Sequence, residues 1–155
     1  MQILIYNENE MERLGEKIAR VLDDNDLVYL KGELGAGKTT LVRGIARAKG
    51  YQGRVTSPTF ALMNVYLMEN MQINHFDFYR LNPNDIYDLG VEDYLERQGL
   101  SLIEWPQAGA GILPPEALLV DISLIDDDYE RERRVSIKAQ GSQYQRKIEE
   151  LQRLC

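Results

Sequence analysis

Leu27-Val28-Tyr29-Leu30, followed by Gly32-Glu33-Leu34-Gly35-Ala36-Gly37-Lys38-Thr39, is the stretch on which the fold turns. Four apolar residues in a row read as a strand buried on both faces. The eight residues from Gly32 match G-x4-G-K-[ST] at every fixed position. Apolar residues at helical spacing then run from Lys38 to Lys49, and Gly50 is a stop signal. Strand, glycine-rich turn and helix in that order form a phosphate-binding loop. Glycine lets successive backbone N–H groups turn inward toward phosphate oxygens. The helix start adds its positive dipole end at the same anion. Lys38 is a mobile point charge that reaches the terminal phosphates, and Thr39 offers a hydroxyl to Mg²⁺. Thr40 doubles that hydroxyl supply. The candidate nucleotide-binding set is therefore Gly32, Leu34, Gly35, Ala36, Gly37, Lys38, Thr39 and Thr40.

Outward from this unit the pattern is mixed. Residues 2–6 read as a strand, and Asn7 with Glu10 as a helix cap with its reciprocal acid. Met11, Leu14, Gly15, Ile18 and Leu22 recur at helical spacing, so the first helix runs to about Leu22. Phe60 to Met68 and Gln72 to Phe78 read as a hairpin turning at Glu69-Asn70-Met71. Asn82-Pro83 opens short helices that fill Pro83 to Gln98, and Gly99 ends them. Leu100 to Glu104 is a short strand. Leu118 to Ile125 and Arg134 to Ala139 form a second hairpin around an acidic tip. Tyr144, Ile148, Leu151 and Cys155 mark a final amphipathic helix. One strand–loop–helix unit among antiparallel hairpins predicts an α/β, three-layer P-loop NTPase-like sandwich with a mixed parallel and antiparallel sheet. No repeat or linker divides the 155 residues, so residues 1–155 read as one domain.

Composition narrows the function. Hydrophobic residues are 44% and charged residues 28% of the chain. No apolar run approaches the roughly 18–20 residues that span a bilayer. The start lacks the basic segment and cleavage site of a signal peptide, and the one cysteine is Cys155, so the expected compartment is the cytoplasm. With 25 acidic against 18 basic residues the net charge is −7, which argues against autonomous binding to tRNA or DNA.

A hydrolytic site also needs acids at the ends of neighbouring strands. Asp77 ends Ile73-Asn74-His75-Phe76-Asp77, and Glu104 ends Leu100-Ser101-Leu102-Ile103-Glu104. Glu104, behind the more apolar strand, is preferred as the Mg²⁺ contact, and Asp77 as an outer acid or the positioner of the water. Thr59 reads either as a sensor of the terminal phosphate or as a plain turn residue. Arg80 either stabilises transferred charge or pairs with a surface acid. His75 reads as structural. Trp105 either stacks on the base or sugar or belongs to the core. Guanine specificity is disfavoured: Asp77-Phe78-Tyr79-Arg80 lacks the glycine of D-x-x-G, and Asn82-Pro83-Asn84-Asp85 has proline where N-K-x-D has lysine. A small-molecule kinase would need a lid of paired arginines, and the only arginine cluster is Arg131, Arg133 and Arg134, interleaved with acids. A nucleotide-gated binding module with little turnover stays open beside an ATPase.

The phosphate loop, then Ser57-Pro58-Thr59-Phe60, His75-Phe76-Asp77-Phe78-Tyr79-Arg80 and Ile103-Glu104-Trp105-Pro106 together resemble the bacterial TsaE (YjeE) family over about residues 8–125. That family is the ATPase component of tRNA threonylcarbamoyladenosine synthesis. The resemblance implies ATP as the nucleotide, Mg²⁺ held by Thr39 and Glu104, and Lys38, Asp77 and Glu104 as the catalytic set. It implies that Thr59 lies in a nucleotide-sensing loop, that Trp105 lies at the nucleotide, and that Glu8 lies near the adenine. It further implies partnership with TsaD and TsaB, with tRNA reached only through that complex, in modifying adenosine 37. Met11 stands where the family often has threonine, and residues 126–155 match weakly.

Overall fold

A strand whose four leading residues are all buried must sit inside a sheet covered on both faces. The computed structural model, which describes residues 1–96 and 99–155, places it there. The strands are β1 (Gln2–Ile5), β2 (Leu27–Gly32), β3 (Met63–Leu67), β4 (Gln72–Asp77), β5 (Leu100–Glu104), β6 (Ala117–Ile125) and β7 (Asp128–Gln140). The helices are α1 (Glu8–Val21), α2 (Lys38–Ala48), α3 (Pro83–Asp88), α4 (Val91–Glu96) and α5 (Ser142–Leu154), with a 3-10 turn at Pro106–Gly109. The sheet order is β1-β7-β6-β2-β5-β4-β3. β2 pairs in parallel with both β5 and β6, and β5 with β4. β3 and β7 pair antiparallel to their neighbours at the two sides. The expected mixed sheet is therefore a parallel centre flanked by hairpins.

Side-chain alternation sends residues of one strand into two cores. Leu100 and Leu102 join α1, α2 and α5 in the larger core, whereas Ile103 joins α3 and α4 in the smaller one. In the larger core α1 and α2 approach at the backbone. A side chain at Gly44 would collide with the Glu12 carbonyl, and one at Gly15 with the Leu41 carbonyl. Tyr144 of α5 is fully buried and accepts the Leu27 N–H at 2.8 Å, which ties the last helix to the start of β2.

Three expectations change in detail. The first hairpin strand begins at Met63 rather than Phe60. Leu62 takes a left-handed φ of 67° and donates its N–H to Pro58 at 2.6 Å, so a turn replaces the first three strand positions. Phe60 is left 84% exposed. Local β-propensity loses here to the turn that Pro58 anchors. The second hairpin is tighter than expected: only Asp126 and Asp127, both at positive φ, form its tip, and β7 returns at once. At the first helix, Asn7 caps Glu10 as expected, but Glu10 reaches the Tyr6 N–H rather than that of the cap itself. The helices expected over Pro83 to Gln98 are α3 and α4, with Arg97 and Gln98 outside the described residues.

Replacing Gly44 with alanine should lower stability by about 1–3 kcal/mol through overpacking against α1, read from urea unfolding. Burial also raises the pKa values of Tyr29, Tyr66 and Tyr144 above the usual 10.0. An unfolded chain releases these phenol protons from about pH 10 while the folded chain keeps them. Their stabilisation is complete below pH 10 and falls above it, by up to about 1.4 kcal/mol per pH unit for each group. The urea midpoint should therefore be lower at about pH 11 than at about pH 8, and equal midpoints would contradict this account.

Candidate nucleotide site

Parallel pairing puts the C-terminal ends of β2, β4 and β5 at one edge, and everything of chemical interest gathers there. Leu30 of β2 faces Glu104 of β5, and Glu104 faces Asp77 of β4. A cavity of about 570 Å³ opens above them. Its floor is the loop from Leu34 to Thr40, with Asp77, Glu104 and Trp105 on one side and Glu8 and Met11 of α1 on the other.

The loop has the backbone its sequence requires. Gly32, Gly35 and Gly37 all have positive φ, and side chains at Gly32 and Gly37 would press on the Ile122 carbonyl and on Met11. Gly37 caps α2 without any side-chain bond, so the first N–H groups of that helix open on the cavity unblocked. Lys38 is buried and folded back. Its Nζ donates to the Gly32 carbonyl and to the Glu33 carbonyl at 3.0 Å, and it lies 5.0 Å from the centre of the Trp105 ring. Burial lowers its pKa, and the charges of Glu104, Asp77 and Glu33 oppose that shift.

The two acids are both buried but differently satisfied. Asp77 accepts the Thr59 hydroxyl at 2.8 Å and the Tyr79 N–H at 2.9 Å. Glu104 has an oxygen, Oε1, with no hydrogen-bond partner. His75 Nε2 lies 3.6 Å from that oxygen. The Tyr66 hydroxyl links the Thr56 carbonyl, at 3.3 Å, to His75 Nδ1, at 2.9 Å. The segment from Thr56 to Thr59 thus touches Asp77 directly and reaches Glu104 through Tyr66 and His75. Among the described residues no three His, Cys, Asp or Glu side chains converge as a metal cage. A buried carboxylate with a bare oxygen, in a cavity that the Thr39 side chain also lines, suits a hard cation that keeps most of its water, which is the habit of Mg²⁺.

Of the residues expected at the site, Glu8, Leu34, Gly35, Ala36, Gly37, Lys38, Thr39, Thr40, Asp77, Glu104 and Trp105 line this one cavity. Gly32 supports the loop from beneath, and Thr59 stands behind Asp77. Arg80 lies elsewhere, exposed, with its guanidinium 4.7 Å from the centre of the Phe60 ring. Trp105 is half-buried in a left-handed conformation, between Lys38 and Tyr79. The lining also includes Ser57, Tyr129, Glu130, Arg131 and Arg133, which sequence reasoning did not place there. The arginine cluster was visible, but nothing local showed that β7 brings it across the sheet.

Residues 5–135 match the profile of the family described as "Threonylcarbamoyl adenosine biosynthesis protein TsaE". The chain belongs to the TsaE family. The tRNA threonylcarbamoyladenosine biosynthesis protein TsaE of Haemophilus influenzae is 43% identical over 129 residues, 79% of this chain and 82% of that protein. The protein of the same name from Bacillus subtilis is 35% identical over 147 residues, covering 95% and 90%. The crystal structure of Bacillus subtilis YdiB superposes with a TM-score of 0.84 at 31% identity, over 99% of this chain and 94% of that one. The TsaE profile ends at Val135, so it includes the β7 segment that lines the cavity. No helix among the described residues of this TsaE-family chain is long and apolar enough to cross a membrane.

The Thr59 bond to Asp77 holds the 56–62 segment on the site. Removing it with Thr59→Val should speed amide exchange in that segment by roughly tenfold, the worth of one bond to a charged acceptor, with global unfolding little changed. Unaltered exchange there would show that the turn stands without Asp77.

Proposed function

We propose that this chain is a Mg²⁺-dependent ATPase that serves tRNA N6-threonylcarbamoyladenosine formation at position 37. Membership of the TsaE family supports the pathway. The observation that carries the chemistry is the convergence of the Lys38-Thr39 loop with two buried acids, Asp77 and Glu104, from adjacent parallel strands. The fit of ATP follows from a backbone anion cradle and the absence of guanine-reading motifs.

Bound Mg²⁺ would neutralise charge at the phosphates, with the Thr39 hydroxyl and the Glu104 carboxylate as its protein ligands. Lys38 leaves the carbonyls of Gly32 and Glu33 and moves onto the terminal phosphates. Asp77 orients a water for attack on the γ-phosphorus, and the bond to the β-phosphate oxygen breaks, giving ADP and phosphate. Thr59, bonded to Asp77, couples the position of its loop to that water. Trp105 loses the Lys38 charge from its ring when the lysine swings to phosphate.

Hydrolysis is slow in isolation, because one side-chain bond, from Thr59 to Asp77, is all that ties the Ser57 to Phe60 segment to the acid that orients the water. The proposed partners are TsaD and TsaB, which bind in a nucleotide-dependent manner and supply further constraint. With a net charge of −7 the chain meets tRNA only through them. A gated binding module differs from this reading only in whether hydrolysis is needed to reset the complex.

Trp105 is the only tryptophan, so its fluorescence reports on the site alone. Mg·ATP should change that emission, and Lys38→Ala should abolish the change. Glu104→Ala should keep partner association with ATP but cut hydrolysis by roughly a hundredfold or more, as expected for loss of a metal-holding group. Repeated rounds of tRNA modification by reconstituted TsaD and TsaB should then stop after about one. Full modification with Lys38→Ala would overturn the proposal.

A further inference from the structure

The third wall of the cavity is an irregularity in β7. Leu124 pairs with Arg133 but Ile125 pairs with Asp128, so Tyr129 to Glu132 arch off the ladder. The arch lands on the phosphate loop. The Tyr129 hydroxyl donates to the Leu34 carbonyl at 3.2 Å, and its ring fills the space a side chain at Gly35 would occupy. Beneath the arch, Arg133 donates to the Tyr129 carbonyl at 2.9 Å and to the Arg131 carbonyl, with its guanidinium 5.8 Å from the centre of the Tyr129 ring. These bonds satisfy carbonyls that the bulge removes from the sheet, and they aim the guanidinium while leaving it further N–H groups to give.

Three cations line the cavity: Lys38, Arg131 and Arg133. Arg131 is already paired with Asp126 and Glu132. Among the described residues Arg133 has no carboxylate partner. A triphosphate carries about four negative charges, of which a divalent cation and Lys38 offset about three. We infer that Arg133 is the second phosphate-contacting cation of this site, delivered from the β6–β7 hairpin and held ready by the carbonyls of Tyr129 and Arg131. The inference rests on the ATP reading above. A planar guanidinium suits phosphate oxygens better than an ammonium does, and here it is oriented before the ligand arrives.

The test is calorimetric titration of the whole protein with Mg·ATP and with adenosine, using wild type, Arg133→Met, Arg133→Lys and Arg134→Met. Methionine keeps an apolar stem but drops the charge. Arg134 is the exposed neighbour on the other side of the strand, so it controls for charge alone. Arg133→Met should weaken Mg·ATP binding by about tenfold, the worth of one charge-assisted hydrogen bond. Lysine should restore part of that loss, adenosine binding should stay unchanged, and Arg134→Met should bind ATP like wild type. Equal ATP affinity for wild type and Arg133→Met overturns the assignment. So does an equal loss for Arg134→Met, or a matching loss for adenosine, which would place the contact on the base or sugar. If Arg133→Met does not fold, the lysine variant decides: a partial loss of Mg·ATP affinity with adenosine unchanged supports the phosphate contact, whereas wild-type ATP affinity or a matching loss for adenosine overturns it. A wild type that binds no nucleotide defeats the ATP reading itself, whereas a wild type that binds and a variant that binds equally defeat only the role of Arg133.

Discussion

The parallel pairing of β6, β2, β5 and β4 constrains everything else in this molecule. Parallel strands must be joined by crossovers, so the chain leaves each C-terminal end at the same edge and returns over a face. The crossover from β2 is α2, and its start is therefore pinned above Glu104 and Asp77. The closeness of α1 and α2 at Gly15 and Gly44 keeps that helix against the sheet. A loop with the same residues on a helix free to tilt would not hold its N–H groups over the two acids.

That edge gathers charge at a place where burial makes charge costly. Lys38, Asp77 and Glu104 are all buried, and Glu104 keeps an unpartnered oxygen. Lys38 is partly compensated by two carbonyls and by the neighbouring acids, and burial still lowers its pKa. A divalent cation and a polyphosphate are the chemistry that would relieve both the lysine and the bare carboxylate together.

The two hairpins close the site from opposite sides. The β3–β4 side brings Thr59 to Asp77 and, through Tyr66 and His75, a path from the Thr56 carbonyl to Glu104. The β6–β7 side lays Tyr129 on the phosphate loop and holds Arg133 below it. Both contacts depend on departures from regular geometry, the left-handed turn at Leu62 and the bulge after Leu124. Irregular backbone is where a sheet protein can aim side chains at a ligand.

By itself the sequence determined the local units. Periodicity and punctuation are short-range, so the strand–loop–helix unit, the cap at Asn7, the order of strands along the chain and the acids ending β4 and β5 were all legible. The residues of the loop declare their own conformation, because glycine takes the positive φ values found at 32, 35 and 37 without the steric cost a side chain would bring. Tertiary structure alone decided which strands are neighbours, and with that which side chains share the cavity. Arg133 and Tyr129 lie about a hundred residues from the loop they flank, and no local pattern encodes a contact of that span. The same holds for Phe60, whose strand-like surroundings gave way to a turn once Leu62 bonded to Pro58 and Asp77 bonded to Leu62. Pairing energy is collected across the sheet rather than along the chain, so it can overrule a local preference that the sequence states plainly.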